Sequence, residues 1–496
     1  MSCWQALRPA KAGSSFTKCK ACAVDNAGKR IIKTGSMILK ARSVMNRIKN
    51  YIWLLLVCST AVAHAQQTGW SSLFDGKTLK GWHQLNGKAK YEVRNGAIVG
   101  TTVTGEPNSF LVTDEDYDDF ILELELKVGD MNSGIQIRSL SDPDNNGRVR
   151  GYQVEVDPSD RAWSGGIYDE ARRGWMYQTE MNPAAKKAFH KNGWNRYRIE
   201  AIGPVIRTWV NEVPVAYMVD DLTPRGFIAL QVHGVKQRAG GARVQWRNIR
   251  IQTGAAIKPK PLDLSVPVAN YTLNTLSPLE QAQGFGLLFN GKDLTGWRAV
   301  LQQAPPQKGW VVEDGLLHIL PRASDDTVKF GDLLTAKSYK AFELDFDFKL
   351  TKGANSGVKY FVMESERSQR AGLGLEYQVL DDENHPDAKL GINGNRTMSS
   401  LYDLIPAARL EPRFQKKLGD WNHGKIVVLP NNHVQHWLNG FKVVEYERGS
   451  TAYKELVAHS KFANKPGFGL SEQGPILLQD HGNSVYYKNI KLRELK

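Results

Sequence analysis

Beyond Cys58 the 496-residue chain has no cysteine; its four are Cys3, Cys19, Cys22 and Cys58. Nothing downstream can therefore rest on a disulfide or a thiolate-bound metal. Cys19-Lys20-Ala21-Cys22 has the spacing of half a zinc site or of a redox pair, but no second pair follows it. Long apolar runs are also missing. The stretch from Tyr51 to Ala63, about 13 residues, is too short to cross a bilayer. There is no Gly-x-Ser-x-Gly elbow, no His-Glu-x-x-His helix and no phosphate or dinucleotide loop. Those absences exclude serine-hydrolase, zincin and nucleotide-binding readings. Helix signals are scarce.

The net charge is +14, which invites a nucleic-acid reading, but residues 1–65 hold eleven Lys or Arg against the single acid Asp25. That leaves the remainder near +4 and argues for no nucleic-acid partner. Met45-Asn46-Arg47-Ile48-Lys49-Asn50, the apolar stretch after it and Ala63-His64-Ala65 have the layout of a secretory signal peptide, with cleavage expected after Ala65. Residues 1–65 are thus expected to be a leader, and residues 1–44 to lie upstream of a normal start. All four cysteines leave with it. The mature chain is expected in the periplasm or outside a bacterial cell, with no stable membrane insertion.

What remains is a repeat. Leu73-Phe74-Asp75-Gly76-Lys77-Thr78-Leu79-Lys80-Gly81-Trp82 returns as Leu288-Phe289-Asn290-Gly291-Lys292-Asp293-Leu294-Thr295-Gly296-Trp297. Both read as a strand, an Asp-Gly or Asn-Gly turn and a buried tryptophan. Asn95-Gly96 and Asp314-Gly315 mark matching hairpins. Phe120 to Leu126 matches Phe342 to Phe348, and the acids on one face predict strands buried on one side only. Asn132-Ser133-Gly134, Trp194-Asn195 and Arg247-Asn248-Ile249 recur in order as Asn355-Ser356-Gly357, Trp421-Asn422 and Lys488-Asn489-Ile490. The chain is an internal duplication.

Short alternating strands with frequent glycine turns predict an all-β fold of two tandem β-sandwiches or jelly rolls. The first spans 66–253 and the second 284–496. Residues 254–283 read as a linker, stiffened by Lys258-Pro259-Lys260-Pro261 and poor in alternation, with Ser277-Pro278-Leu279-Glu280 opening a short helix.

Candidate chemistry lies on one strand of each copy. Gln153 and Glu155 share a face in Gly151 to Asp157, and Glu376 and Gln378 share one in Gly374 to Asp381. Aligning the two glycines makes Glu and Gln exchange places; aligning the shared Tyr-Gln-Val leaves Glu155 without a counterpart. The spacing leaves both registers open. A carboxylate beside an amide suits sugar hydroxyls, although the same residues also suit a solvated outer face. His233 and His481 occupy matching Gln-x-His-Gly turns, preceded by Gln231 and Gln479, and are candidate general bases or metal ligands. Asn132 and Asn355 precede strands carrying Gln136 and Arg138 in one copy and Lys359 in the other, cations suited to an enolate. Tyr168 and Tyr402 correspond, and with Trp163 and Trp175 offer surfaces for a sugar ring, as well as for a core.

At these motifs the sequence resembles the 3-keto-disaccharide hydrolase domain family, over nearly all of both copies. The resemblance implies a concanavalin-like jelly roll and a carbohydrate or glycoside substrate already oxidised to a ketone at C3. It implies removal of the acidic C2 proton, β-elimination of the C1 oxygen and hydration. His233, His481, Glu155 and Glu376 are the candidates for the base or for metal ligands, and a divalent metal ion is one way to stabilise the enolate. One site carboxylate per copy is visible, which suits elimination better than the paired carboxylates of an ordinary glycosidase. The alternative is a carbohydrate-binding protein without catalysis.

Overall fold

Asn95 and Gly96 both take positive φ (51° and 74°), as do Asp314 and Gly315 (49° and 75°). That conformation matches the twist of the strands it joins, Lys90–Arg94 to Ala97–Thr101 and Trp310–Glu313 to Leu316–Ile319. The computed structural model describes residues 69–145, 147–237, 239–322, 331–365, 372–408 and 415–496. The expected leader, all four cysteines and the expected cleavage after Ala65 lie outside the described residues.

Each copy is two antiparallel sheets packed face to face around an apolar core, which makes the chain two jelly-roll β-sandwiches in tandem. In the first copy the site-bearing sheet runs Gly174–Tyr177, Ile167–Glu170, Arg148–Val156, Ser133–Asp142, Gly226–Val232, Ser109–Tyr117, Trp82–Leu85. The second copy repeats this order from Leu373–Leu380 through Asn355–Met363, Gly474–Leu478 and Leu333–Tyr339 to Trp297–Ala299. Alternation then decides what faces inward: Ile135, Ile137, Tyr152 and Val154 enter the core, so Gln136, Gln153 and Glu155 stand on the opposite face.

Three local expectations change. The opening motif is not a hairpin: Asp75 Oδ1 accepts from the backbone N–H of Lys77 (2.8 Å) and Thr78 (2.7 Å), and Asn290 Oδ1 does the same for Lys292 and Asp293. The side chain forms the turn, and Trp82 and Trp297 anchor it by donating Nε1–H to Leu73 O and Leu288 O.

The strands Phe120–Val128 and Phe342–Leu350 are buried on both faces, not one. Cations on neighbouring strands cover their acids: Arg196, Arg198 and Arg250 reach Glu123, and Lys425 and Arg493 reach Glu343. Burial works against the charge of Glu123, yet the three arginine bonds outweigh it and hold the carboxyl down to about 2.

The linker contains a strand. Val268–Asn270 pairs in parallel with Val213–Val219 at the edge of the first copy's larger sheet. A capping box between Ser277 and Glu280 then starts the helix Pro278–Ala282. Glu280 also receives Lys491 Nζ in a buried ion pair, and Asn274 and Asn489 exchange backbone N–H to side-chain Oδ1 bonds of 2.6 and 2.8 Å. The linker is therefore bonded to both sandwiches, and Gly69–Lys496 is one compact body.

Candidate functional site

Strand pairing settles the register that the sequence left open. Glu155 stands opposite Gly134 and Gln153 opposite Gln136; Gln378 stands opposite Gly357 and Glu376 opposite Lys359. The glycines Gly151 and Gly374 therefore correspond, and carboxylate and amide have exchanged places between the copies. The glycine of each Asn-Ser-Gly turn makes room for the inner side chain of this pair. A Cβ on Gly134 would lie 2.3 Å from Gln153 Cδ, and one on Gly357 would lie 2.2 Å from Glu376 Oε1.

In the first copy these side chains form a directed chain of hydrogen bonds. Ser139 Oγ donates to Gln136 Oε1 (2.8 Å), Gln136 Nε2 to Gln153 Oε1 (2.8 Å), and Gln153 Nε2 to Glu155 Oε2 (3.0 Å). Asn132 Nδ2 donates to the other oxygen, Glu155 Oε1. The polarity of the chain delivers two N–H donors to a carboxylate that is 3% exposed. Burial nevertheless dominates: it pushes the Glu155 carboxyl up to about 7, with the Asn132 and Gln153 bonds pulling the other way. A carboxyl so placed exchanges a proton near neutrality, as a general base must.

Glu155 lines a cavity of about 310 Å³. Gln153 and Gln231 share its floor, and Gln231 Oε1, buried, has no hydrogen-bond partner among the described residues. Such an acceptor is costly unless something donates to it. One wall is aromatic: Tyr168 and Trp175 meet edge to face at 5.0 Å across the hairpin Ile167–Glu170 and Gly174–Tyr177. Burial raises Tyr168, helped by Glu170 and Glu155. Asn132 and His233 stand at the rim; His233 is exposed, with Nδ1 2.8 Å from Gly234 O.

Arg138 does not belong to this group. It sits in a bulge with φ 44°, where the pairing of the strand shifts between Ile137 and Leu140, and the bulge turns its side chain away. It is 1% exposed and donates to Asp118 O, Gly203 O and Asp119 Oδ1. Trp163 is also displaced from the expected sugar surface. It packs 4.4 Å from Trp175 and 6.2 Å from Phe441 of the second copy, so it backs the aromatic wall and does not form it.

Three lining residues escaped sequence reasoning. Glu170 is a second carboxylate, raised by burial with Asn108 and Arg148 opposing, so the cavity holds two carboxylates and not one. Its signal was present: two residues beyond Tyr168 on one strand, it must share that face. Arg161, held by Asp157 at 2.7 Å, and Asn108, which accepts from Gly234 N at 2.9 Å, lie in loops with no periodic signal.

The second copy places Asn355, Lys359, Glu376, Gln378 and Tyr402 in the equivalent positions with different chemistry. Lys359 Nζ lies 3.8 Å from Glu376 Oε2, an ion pair where the first copy has two amides. Burial raises Glu376 while Lys359 and Lys461 oppose it. Tyr402 OH donates to Asp387 Oδ2 (2.8 Å) and carries Lys461 Nζ 3.9 Å above its ring. Lys461 and the helix Thr451–Ala458 belong to an insertion between matched strands, which the repeat could not announce. Asn355 Oδ1 and Gln378 Oε1 are buried acceptors without a partner among the described residues. Gln479 is tied through its backbone, to Gly357 O and Ser356 Oγ, and exposed His481 stands 5.8 Å from the ring of His385. Among the described residues no three His, Cys, Asp or Glu side chains group as metal ligands do, so no ligand set for a divalent ion is assigned.

Residues 69–252 and 284–493 each match the model of the 3-keto-alpha-glucoside-1,2-lyase-like domain. A 3-keto-disaccharide hydrolase of Bacteroides thetaiotaomicron is 36% identical over 236 residues, covering 43% of this chain and 79% of that protein. Two solved structures of candidate glycosyl hydrolases from Parabacteroides distasonis ATCC 8503 are also similar. One is 34% identical and covers 45% of this chain and all of its own, with a TM-score of 0.41; the other is 28% identical over 42% and 99%, with a TM-score of 0.32. Matched across both sandwiches, the chain belongs to the 3-keto-alpha-glucoside-1,2-lyase-like domain family.

Proposed function

We propose that the protein is an exported bacterial hydrolase of 3-keto-glycosides that works by elimination and hydration, and that the first copy carries the reaction. The observation that carries this reading is Glu155: a buried carboxylate at the floor of a polar cavity, titrating near 7, with two amides aimed at its oxygens. The family membership supplies the substrate class.

In the proposed reaction Glu155 takes the proton from C2, and the C–H electron pair moves into the C2–C3 bond as the ketone oxygen becomes an enolate. Arg161, in the same cavity, is the cation available to that oxygen. The enolate then re-forms the ketone, a C1–C2 double bond appears and the C1–O bond breaks. His233, at the rim where the departing sugar leaves, gives the proton to its oxygen. Water next adds to C1 and gives its proton to His233, and C2 regains a proton from Glu155, so both residues return to their starting states and the sum is hydrolysis. Tyr168 and Trp175 hold the ring against the floor. Glu170, the second carboxylate, is raised by burial and bonded by Asn108, and we place it against the sugar hydroxyls.

In the second copy the ion pair Lys359–Glu376 ties up the carboxylate, and the orphan acceptors Asn355 Oδ1 and Gln378 Oε1 favour hydroxyl recognition over proton removal. The test is release of 3-keto sugar from a 3-keto disaccharide by the whole chain. Glu155→Gln should lower kcat by about 10²- to 10⁴-fold, and Glu376→Gln should change it little. No release by the wild type, or loss confined to Glu376→Gln, overturns the assignment.

A further inference from the structure

Two larger cavities flank the central pocket of the first copy, at about 820 and about 830 Å³ against about 310 Å³. His233, Gly234 and Lys236 line both, so the turn that carries His233 stands between them. One shares Asn132, Arg161 and His233 with the central pocket; the other shares Asn108, Glu170 and His233. The three spaces therefore form one cleft with two arms, meeting at the pocket floored by Glu155.

The second arm has a structural cause. The bulge at Arg138 bends the hairpin of Ser133–Asp142 and Arg148–Val156 over the sheet, where Val149 packs with Phe110, Phe227 and Leu85. Asn145 and Arg148, carried by this hairpin, line the arm together with Asn86 and Glu106. The first arm lies between Asp130, Ser159 and Gln237. Amides, carboxylates and cations in both arms supply the groups that bind sugar hydroxyls, and Met131, Pro158 and Val235 in one and Pro107, Phe110 and Val149 in the other add apolar surface on which the faces of sugar rings can pack.

A disaccharide cleaved at C1 needs one arm, for the departing sugar. The other is filled only if the oxidised ring carries a substituent elsewhere. Elimination leaves room for this, because it involves C1, C2 and C3 and is indifferent to what is attached at C4 or C6. We propose that the first copy's cleft accepts saccharides that continue on both sides of the oxidised ring, so that its substrates include 3-keto units within oligosaccharides. The proposal rests on reading the central pocket as a sugar site.

The test uses binding, which needs no turnover. Unoxidised gluco-oligosaccharides of one to five rings, in α-1,4, α-1,6 and β-1,4 series, are titrated into the whole chain by calorimetry. At least one series should tighten about tenfold between two and four rings. Asn145→Trp in one arm and Gln237→Trp in the other should each remove part of that gain; both positions are exposed and tolerate a large side chain without disturbing the core. No gain beyond two rings in every series, or a gain that survives both substitutions, overturns the proposal. Length-dependent binding without release of 3-keto sugar would uphold the cleft and count against the catalytic reading alone.

Discussion

The raised Glu155 carboxyl makes a thermodynamic prediction that does not depend on substrate. When folded, Glu155 keeps its proton until about pH 7; when unfolded, it loses it near 4.5. Between these values the folded state binds the extra proton, so stability falls as pH rises. Below the window both states are protonated and nothing is lost; above it the loss is complete. At about 1.4 kcal/mol per pH unit, it amounts to about 3 kcal/mol.

Glu155→Gln removes the titration. The amide is accommodated because Asn132 can rotate to present its oxygen, whereas Gln153 is held by Gln136 and must go on donating. Any loss from altered bonds is constant with pH. The variant should therefore gain on the wild type by about 2 to 3 kcal/mol between pH 5 and pH 8. Guanidinium unfolding at each pH, taken as the difference between the two proteins, cancels every other titrating group. A flat difference, or one that favours the wild type as pH rises, would refute the argument that burial dominates at Glu155.

Turnover should follow the same proton in the opposite sense. The kcat/KM for a 3-keto disaccharide should rise with pH through about 7 as Glu155 becomes a base, and a profile without that limb would remove it from the role. Gly134→Ala should leave the fold intact by circular dichroism and lower activity at least about tenfold, since its Cβ would drive Gln153 off Glu155; unchanged activity would show that the amide relay is dispensable. Phe441→Ala, in the second copy, should raise KM severalfold with a smaller effect on kcat, because Trp163 then no longer backs Trp175; an unchanged KM would separate the copies functionally.

The duplication and the sandwich pattern were legible because side-chain alternation and turn glycines act locally. Glu155, Gln153 and the Tyr168 wall were legible for the same reason. Register was not, since Gly-Tyr-Gln-Val-Glu and Gly-Leu-Glu-Tyr-Gln-Val satisfy the same alternation in two alignments, and only pairing with Gly134 and Gly357 separates them. Arg138 was misplaced because a bulge adds one residue and reverses the face, a change that no periodicity announces. The burial of Glu123 and Glu343 depends on cations from strands far along the chain, so acids that read as solvent-facing are enclosed. Arg161 and Lys461 reach their sites through a loop and an insertion, where spacing carries no information about space.

The most direct measurement is the fate of the C2 hydrogen. The whole chain is given a 3-keto disaccharide in deuterium oxide, and the released 3-keto sugar is read by NMR before uncatalysed exchange accumulates. Elimination and hydration predict deuterium at C2 in every product molecule that Glu155 reprotonates after exchange with solvent, and none in substrate incubated with Glu155→Gln. Product that retains protium at C2, and that forms no more slowly when the substrate carries deuterium there, would mean direct displacement at C1 without cleavage of the C2–H bond and would contradict the account.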